Sequence, residues 1–223
     1  MKKTNEIGRS MIEMLGVLAI VGVLSAGALK GYNNAMMRHK LNKNAQEIGY
    51  LLATAIQNTD KLKEGSYALT GELQSLGAFL WDTHPAAISD DPQYAKNIRF
   101  EDTLKNQIWF EHAVGKTQIA FAVMLPASDF TTKVCHNYIN VFKSFADDLD
   151  IVYVTKKNSE TGKKQNAYLG KTCSSGKCLA TMTNADIINV CQTHCADADV
   201  YCTLYALWGY PAASVQSIFA AGQ

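Results

Sequence analysis

Glu13 is the one ionisable side chain in an otherwise apolar stretch from Met11 to Leu29, where Ser25 is the only other polar residue. A carboxylate placed there costs about 2.5–3.5 kcal/mol on membrane-insertion scales, so it calls for a cationic partner. The second reactive group is a set of cysteines, Cys135, Cys173, Cys178, Cys191, Cys195 and Cys202, all beyond residue 134. An even number confined to the C-terminal part of the chain reads as disulfides made in an oxidising compartment such as the periplasm, with fifteen connectivities open. Zinc is the competing chemistry, using Cys173, Cys178, Cys191, Cys195 and His194 or His136. Against it, no pair has the Cys-x2-Cys spacing that structural zinc sites favour.

Catalytic chemistry finds no comparable foothold. His39, His84, His112, His136 and His194 fall in unrelated contexts. No nucleophile elbow, His-Glu-x-x-His pair, phosphate loop or dinucleotide fingerprint occurs. Cys135 and His136 are chain neighbours, and neighbours on a helix point apart. Trp81, Trp109, Trp208 and the ten tyrosines read as core and rim aromatics. The expectation is therefore no enzyme, no cofactor and no metal. With 48% hydrophobic residues and a formal charge of +1 over 223 residues, a core is within reach. A nucleic-acid partner is not expected.

The elements that must position these groups fall into three parts: a leader over residues 1–8, a helix over 9–57 and a head over 58–223. The helical pattern outlasts the apolar run, because Leu41, Ala45, Ile48, Leu52 and Ala55 recur at steps of four and three, with Leu51 and Ile56 widening the stripe. Lys40, Lys43, Asn44, Glu47 and Tyr50 are assigned to the opposite face. One helix from about Ser10 to Gln57 would be roughly 70 Å long. Two other readings compete for its first half. Met1-Lys2-Lys3 and Ala26-Gly27-Ala28 imitate a secretory signal peptide, which would release Leu29. A plain single-pass anchor is the other, with an apolar run at the short end of the roughly 17–25 residues a span needs. Basic residues on both flanks leave orientation undecided.

In the head, Tyr67–Leu80 reads as a short helix and Trp81–Gln93, with Pro85 and Pro92, as a loop. Strands follow over Asn97–Glu101, Gln107–Val114 and Gln118–Leu125, with Gly115-Lys116 as a tight turn. Ser128 or Asp129 is positioned to cap a helix reaching Ala146, with Val134, Tyr138, Val141, Phe142 and Phe145 as its stripe. Ile151–Lys156 and Gln165–Gly170 make a second strand pair around a Lys157–Lys164 loop. Asn184 is the candidate cap of a helix with the stripe Ile187, Ile188, Cys191, and Tyr201–Trp208 is the last strand. The fold class is α+β: a long N-terminal helix packed on an antiparallel-sheet head closed by disulfides.

Gly8, four intervening residues, Glu13 and an apolar helix together resemble the processing and assembly signature of type IV pilins and of type II secretion pseudopilins. The resemblance implies a membrane precursor in the inner membrane, held by residues 11–29, that a prepilin peptidase cuts after Gly8. Arg9 becomes the first residue, and the subunit has an inner-membrane assembly platform as a partner. The Arg9 amine and the Glu13 carboxylate of adjacent subunits would then pair as a homo-oligomeric filament grows, at the cell surface for a pilus or in the periplasm for a pseudopilus. A buried acid is tolerable once an ammonium lies against it. The chain departs from the family at Arg9, where an apolar, often methylated residue is usual, and at Lys30, where many pilins place a kinking proline. Residues 58–97 correspond to the family's variable region. The order of elements over 118–210 is loosely similar to type IVb pilins, which implies a disulfide Cys135–Cys191. With that pair taken, the remaining bonds are assigned Cys173–Cys178 and Cys195–Cys202. A calcium site like that of major pseudopilins finds only Asp197 and Asp199. Outside this family, the alternative is a secreted or anchored binding or enzymatic domain.

Overall fold

The computed structural model describes residues 6–62, 85–86, 99–112, 119–126, 128, 130–158, 162–171, 173, 177–196 and 202–209. The expected helix over 67–80 and the turn at Gly115-Lys116 lie outside them. The chain divides into two units, Met1–Asn42 and Lys43–Gln223.

Helix α1 runs over Glu6–Gln57, four residues earlier than the apolar pattern indicated. Gly8 interrupts nothing, since one glycine weakens a helix by only about 1 kcal/mol. At its other end the freed carbonyls are taken by side chains. Asn58 Nδ2 donates to Thr54 O at 2.8 Å and Thr59 Oγ1 to Ile56 O at 2.6 Å. A single further turn, α2 (Thr59–Leu62), follows.

The first unit holds the apolar half of α1, whose side chains are exposed around the whole circumference. In the second unit Ile48, Leu51, Leu52 and Ala55 are fully buried, as the stripe required. Asn44 and Glu47 correct the assignment of the polar face, because both are buried too. The geometry explains Asn44: it lies four residues before Ile48 and so continues the buried stripe. Glu47 is partnered by Lys43 at 3.6 Å, one turn back.

Among the described residues seven strands form one antiparallel sheet: β1 (Pro85–Ala86), β2 (Arg99–Glu101), β3 (Gln107–His112), β4 (Ile119–Leu125), β5 (Ile151–Asn158), β6 (Gly162–Leu169) and β7 (Cys202–Trp208). Their spatial order is β1-β2-β3-β4-β7-β5-β6. The last strand of the sequence thus enters the middle of the sheet, between β4 and β5. That is why β7 is buried at six of its seven positions, rather than alternating as a half-exposed strand would. Residues 157, 158 and 162–164, expected as loop, are strand instead, because the β5–β6 ladder continues through Asn158↔Gly162. Lysines with weak strand preference are carried by the pairing on either side of them.

Helix α3 (Thr131–Ser144) stops short of Ala146, and its N-cap is Phe130, which makes no side-chain cap bond. Thr131 instead ties the preceding loop to the helix start, donating its hydroxyl to Pro126 O at 2.7 Å and accepting from Ser128 N at 2.8 Å. Helix α4 (Asn184–Cys195) is capped by Thr183 and not by Asn184. Thr183 and Asp186 form a reciprocal box, in which Asp186 N donates to Thr183 Oγ1 at 3.2 Å and Thr183 N to Asp186 Oδ2 at 2.8 Å. Of the α4 stripe, Ile187 and Cys191 are buried while Ile188 is exposed, its place taken by Val190.

The aromatic core is a chain of tilted and edge-on rings, Trp208–Phe110–Phe121–Phe142–Tyr138, with neighbouring centroids 5.1–6.2 Å apart. A smaller cluster, Ala120, Ile151, Ala167, Leu169 and Leu207, includes the half-buried Tyr153 and Tyr205 at its margin. Gly170 marks a close approach of two backbones: a Cβ there would lie 1.9 Å from Leu149 O.

Candidate functional site

The N-terminal site is helical from its first described residue. Gly8, Arg9 and Glu13 all belong to α1, and the bond between Gly8 and Arg9 lies inside it. From Met11 to Leu24 the large apolar side chains are 52–75% exposed, pointing in every direction around the axis. Gly16, Gly22, Gly27 and Gly31 have nothing within 4 Å of where a Cβ would stand. By length and composition this half of α1 suffices to cross a membrane, and none of its most apolar window is buried within the chain. Such a surface is unlike anything a water-facing helix keeps, where the apolar residues gather in a stripe.

The cysteines are brought together in three bonds: Cys135–Cys191, Cys173–Cys178 and Cys195–Cys202. The first joins α3 to α4 across 56 residues with a Cα–Cα distance of 5.8 Å. On the chain-entropy argument a loop of that size contributes about 4 kcal/mol by restricting the unfolded chain. The third ties the end of α4 to the start of β7. No thiol is left over to ligate zinc. Among the described residues no three His, Cys, Asp or Glu are grouped to hold a metal ion. The histidines stand apart in role: His136 Nδ1 meets Asn140 at 3.0 Å on α3, whereas His194 is buried in α4. His84, Trp81, Asp197 and Asp199 lie outside the described residues.

One constellation was not foreseen. Asp102, at the end of β2 and 3% exposed, accepts on Oδ2 from Asn44 Nδ2 and Asn106 Nδ2, each at 2.8 Å, and from the Tyr138 hydroxyl. Its Oδ1 accepts from the backbone N–H of Leu104 and of Asn106, both at 2.8 Å. Asn137 Nδ2 then donates to Asn44 Oδ1 at 3.2 Å. Five donors on one buried carboxylate bind the second half of α1, the β2–β3 turn and α3 into a single node. Burial, followed by the charge of Asp102, holds the Tyr138 hydroxyl well above its ordinary pKa. Lys105 occupies the left-handed region, φ 68°, to let the turn close around Asp102. The signal for this node was present in Asp102-Thr-Leu-Lys-Asn106, an Asx-turn pattern, and in Asn44 on the buried stripe.

A row of side chains crosses the opposite sheet face. The Arg99 guanidinium lies 4.3 Å from the Trp109 ring centre, Trp109 meets Tyr205 edge-on, and Tyr205 stacks on Tyr153 at 4.5 Å. Burial, then the Glu111 charge, pushes Tyr205 up to about 12. Trp109 Nε1 donates to Glu111 Oε2 at 3.1 Å, and the Arg99 guanidinium donates to Gln107 Oε1 at 3.0 Å.

Comparison with protein-family models, with curated proteins and with solved structures finds no match to this chain.

Proposed function

We propose that this chain is a structural subunit of a type IV pilus-like filament. The observation that carries the reading is the exposed, all-round apolar stretch Met11–Leu29 of α1, which follows Gly8 and contains Glu13 as its single charge. A surface of this kind needs a non-aqueous neighbour at every stage of the protein's life. The inner membrane supplies it to the precursor, and the helices of other subunits supply it to the polymer. On this reading a prepilin peptidase removes residues 1–8, an assembly platform lifts the subunit out, and the new Arg9 amine neutralises Glu13 of the adjoining copy. That pairing offsets the burial of the acid and sets the axial step. The disulfide-closed α+β head faces water. The pilin fold of that head belongs to this proposal, as does the surface location.

N-terminal sequencing of the mature protein, combined with Glu13→Ala, tests it. The expected results are a start at Arg9 and, for the variant, protein that reaches the membrane without giving normal fibres. A start at Leu29 makes the segment a signal peptide, and Met1 makes it an uncleaved anchor. Normal fibres from Glu13→Ala remove the registry role.

A further inference from the structure

Lys30, Arg38 and Lys40 follow the apolar stretch of α1, and all three are exposed. Between Glu13 and Glu47 the chain has no acidic residue, while it carries Lys30, Arg38, Lys40 and Lys43. The whole chain has a formal charge of only +1, so outside this segment it is net negative. Lys43 lies 3.6 Å from Glu47. The other three have no hydrogen-bond or ion-pair partner among the described residues.

A cation in water needs no partner, and what sets these three apart is their place. Lys30 adjoins Leu29, where the apolar stretch of a helix able by length and composition to cross a membrane ends. Arg38 and Lys40 lie about 14 and 17 Å beyond Leu29 along the axis, at about 1.5 Å per residue. The headgroup layer on each side of the hydrocarbon is about 5–8 Å deep, and at physiological salt its charge is felt for about 8 Å more. Side chains on a helix tilt toward its N-terminus, which here is back toward the apolar stretch, and lysine and arginine stems carry the charge further that way. At 3.6 residues per turn the three fall within an arc of about 160°, with Lys30 at its middle. A tilt of about 20°, the average for spanning helices, therefore brings them toward one surface. Tyr32, 62% exposed, stands at the same boundary, where rings with one polar end settle.

We infer that Lys30, Arg38 and Lys40 bind the phosphates of anionic phospholipids, such as phosphatidylglycerol, on the side of the membrane where α1 emerges toward the head. The inference rests on the membrane stage of the filament reading and not on fibres. Each cation near such a surface favours the anionic lipid by about fivefold. The contact fixes the depth at which the apolar stretch lies, and it is given up when the subunit leaves the bilayer.

The test places the full-length chain in phosphatidylcholine vesicles that hold a trace of either phosphatidylglycerol or phosphatidylcholine spin-labelled on an acyl chain. Electron spin resonance then measures the lipid immobilised against the protein. At about 0.01 M salt, where screening reaches about 30 Å, the phosphatidylglycerol probe should be immobilised at least about twofold more than the phosphatidylcholine probe. In about 1 M salt most of that preference should vanish, an arm that needs no substitution. Combining Lys30→Gln, Arg38→Gln and Lys40→Gln should remove the larger part of it at low salt. Lys30→Arg with Lys40→Arg, which keeps the charges, should retain it. Lys2, Lys3 and Arg9 stay in every protein, so the difference between variants belongs to the three residues. No preference in the unaltered chain overturns the contact, as does a preference that the glutamines leave intact or that the arginines abolish. If neither probe is immobilised, the membrane stage itself fails and the contact with it; immobilisation without preference counts against the contact alone.

Discussion

Leu18 and Leu51 have the same side chain and belong to one helix, yet Leu18 is 62% exposed and Leu51 is fully buried. The two halves of α1 therefore answer to different solvents. In the half from residue 43 onward, apolar residues share a stripe with Asn44, and the stripe is consumed by the head. In the half before it, apolar side chains surround the axis and the chain itself buries none of the most apolar window. Hydrophobicity alone does not define a core, and what separates the two halves is whether it is distributed around a helix or along one side.

That comparison breaks most directly under matched truncations. Leu51→Ala should lower the stability of the head by about 2–5 kcal/mol, the transfer and cavity cost of a buried leucine. Leu18→Ala should leave it unchanged. Denaturant unfolding of the full chain in detergent, followed by near-ultraviolet circular dichroism, checks both, and equal shifts for the two variants would erase the distinction.

Alkaline titration sharpens it at a smaller scale. Tyr205 is raised to about 12 in the folded head, from an ordinary value of 10. The unfolded chain therefore releases this proton first, and the contribution is fully present below pH 10 and is lost as pH climbs from about 10 to about 12. The amount is on the order of 2 kcal/mol. Tyr205→Phe should flatten that part of the stability profile while keeping the ring stacked on Tyr153. A slope unchanged by the substitution would assign the alkaline loss to other groups. The Met11–Leu29 stretch has no tyrosine or lysine to contribute.

The smallest effect concerns glycine. Gly22→Ala meets nothing within 4 Å and should raise helix content slightly, by up to about 1 kcal/mol, with no change in the unfolding midpoint of the head. Far-ultraviolet circular dichroism reads the first and near-ultraviolet melting the second. A cost to fibre formation from the same substitution would place that glycine in a contact between copies.

Much of the head could be read from the chain because its signals are local. The β3 and β4 strands, the Val134–Phe142 stripe and the buried side of α1 from Ile48 follow from periods of two and 3.6. The errors were local as well. A threonine one position before the expected asparagine took the α4 cap, since its partner Asp186 lies three residues on and closes the box. Lysines that read as loop became strand, because a neighbouring ladder supplied their hydrogen bonds. In the candidate site, Gly8, Glu13 and the apolar run were legible at once, as composition and spacing are all they consist of. The Asp102 node was not: it gathers residues 44, 102, 106 and 138, and no short window holds them together.

The sequence by itself determined the apolar half of α1, the charge within it and the turn chemistry at each helix end, since each depends on residues within a few positions of one another. Tertiary structure alone decided that β7 enters between β4 and β5, and that Asn44 turns from surface residue into ligand of a buried carboxylate. These are long-range pairings. Their free energy comes from surfaces that exist only after the chain has closed large loops, and no local pattern encodes which distant surface will be met.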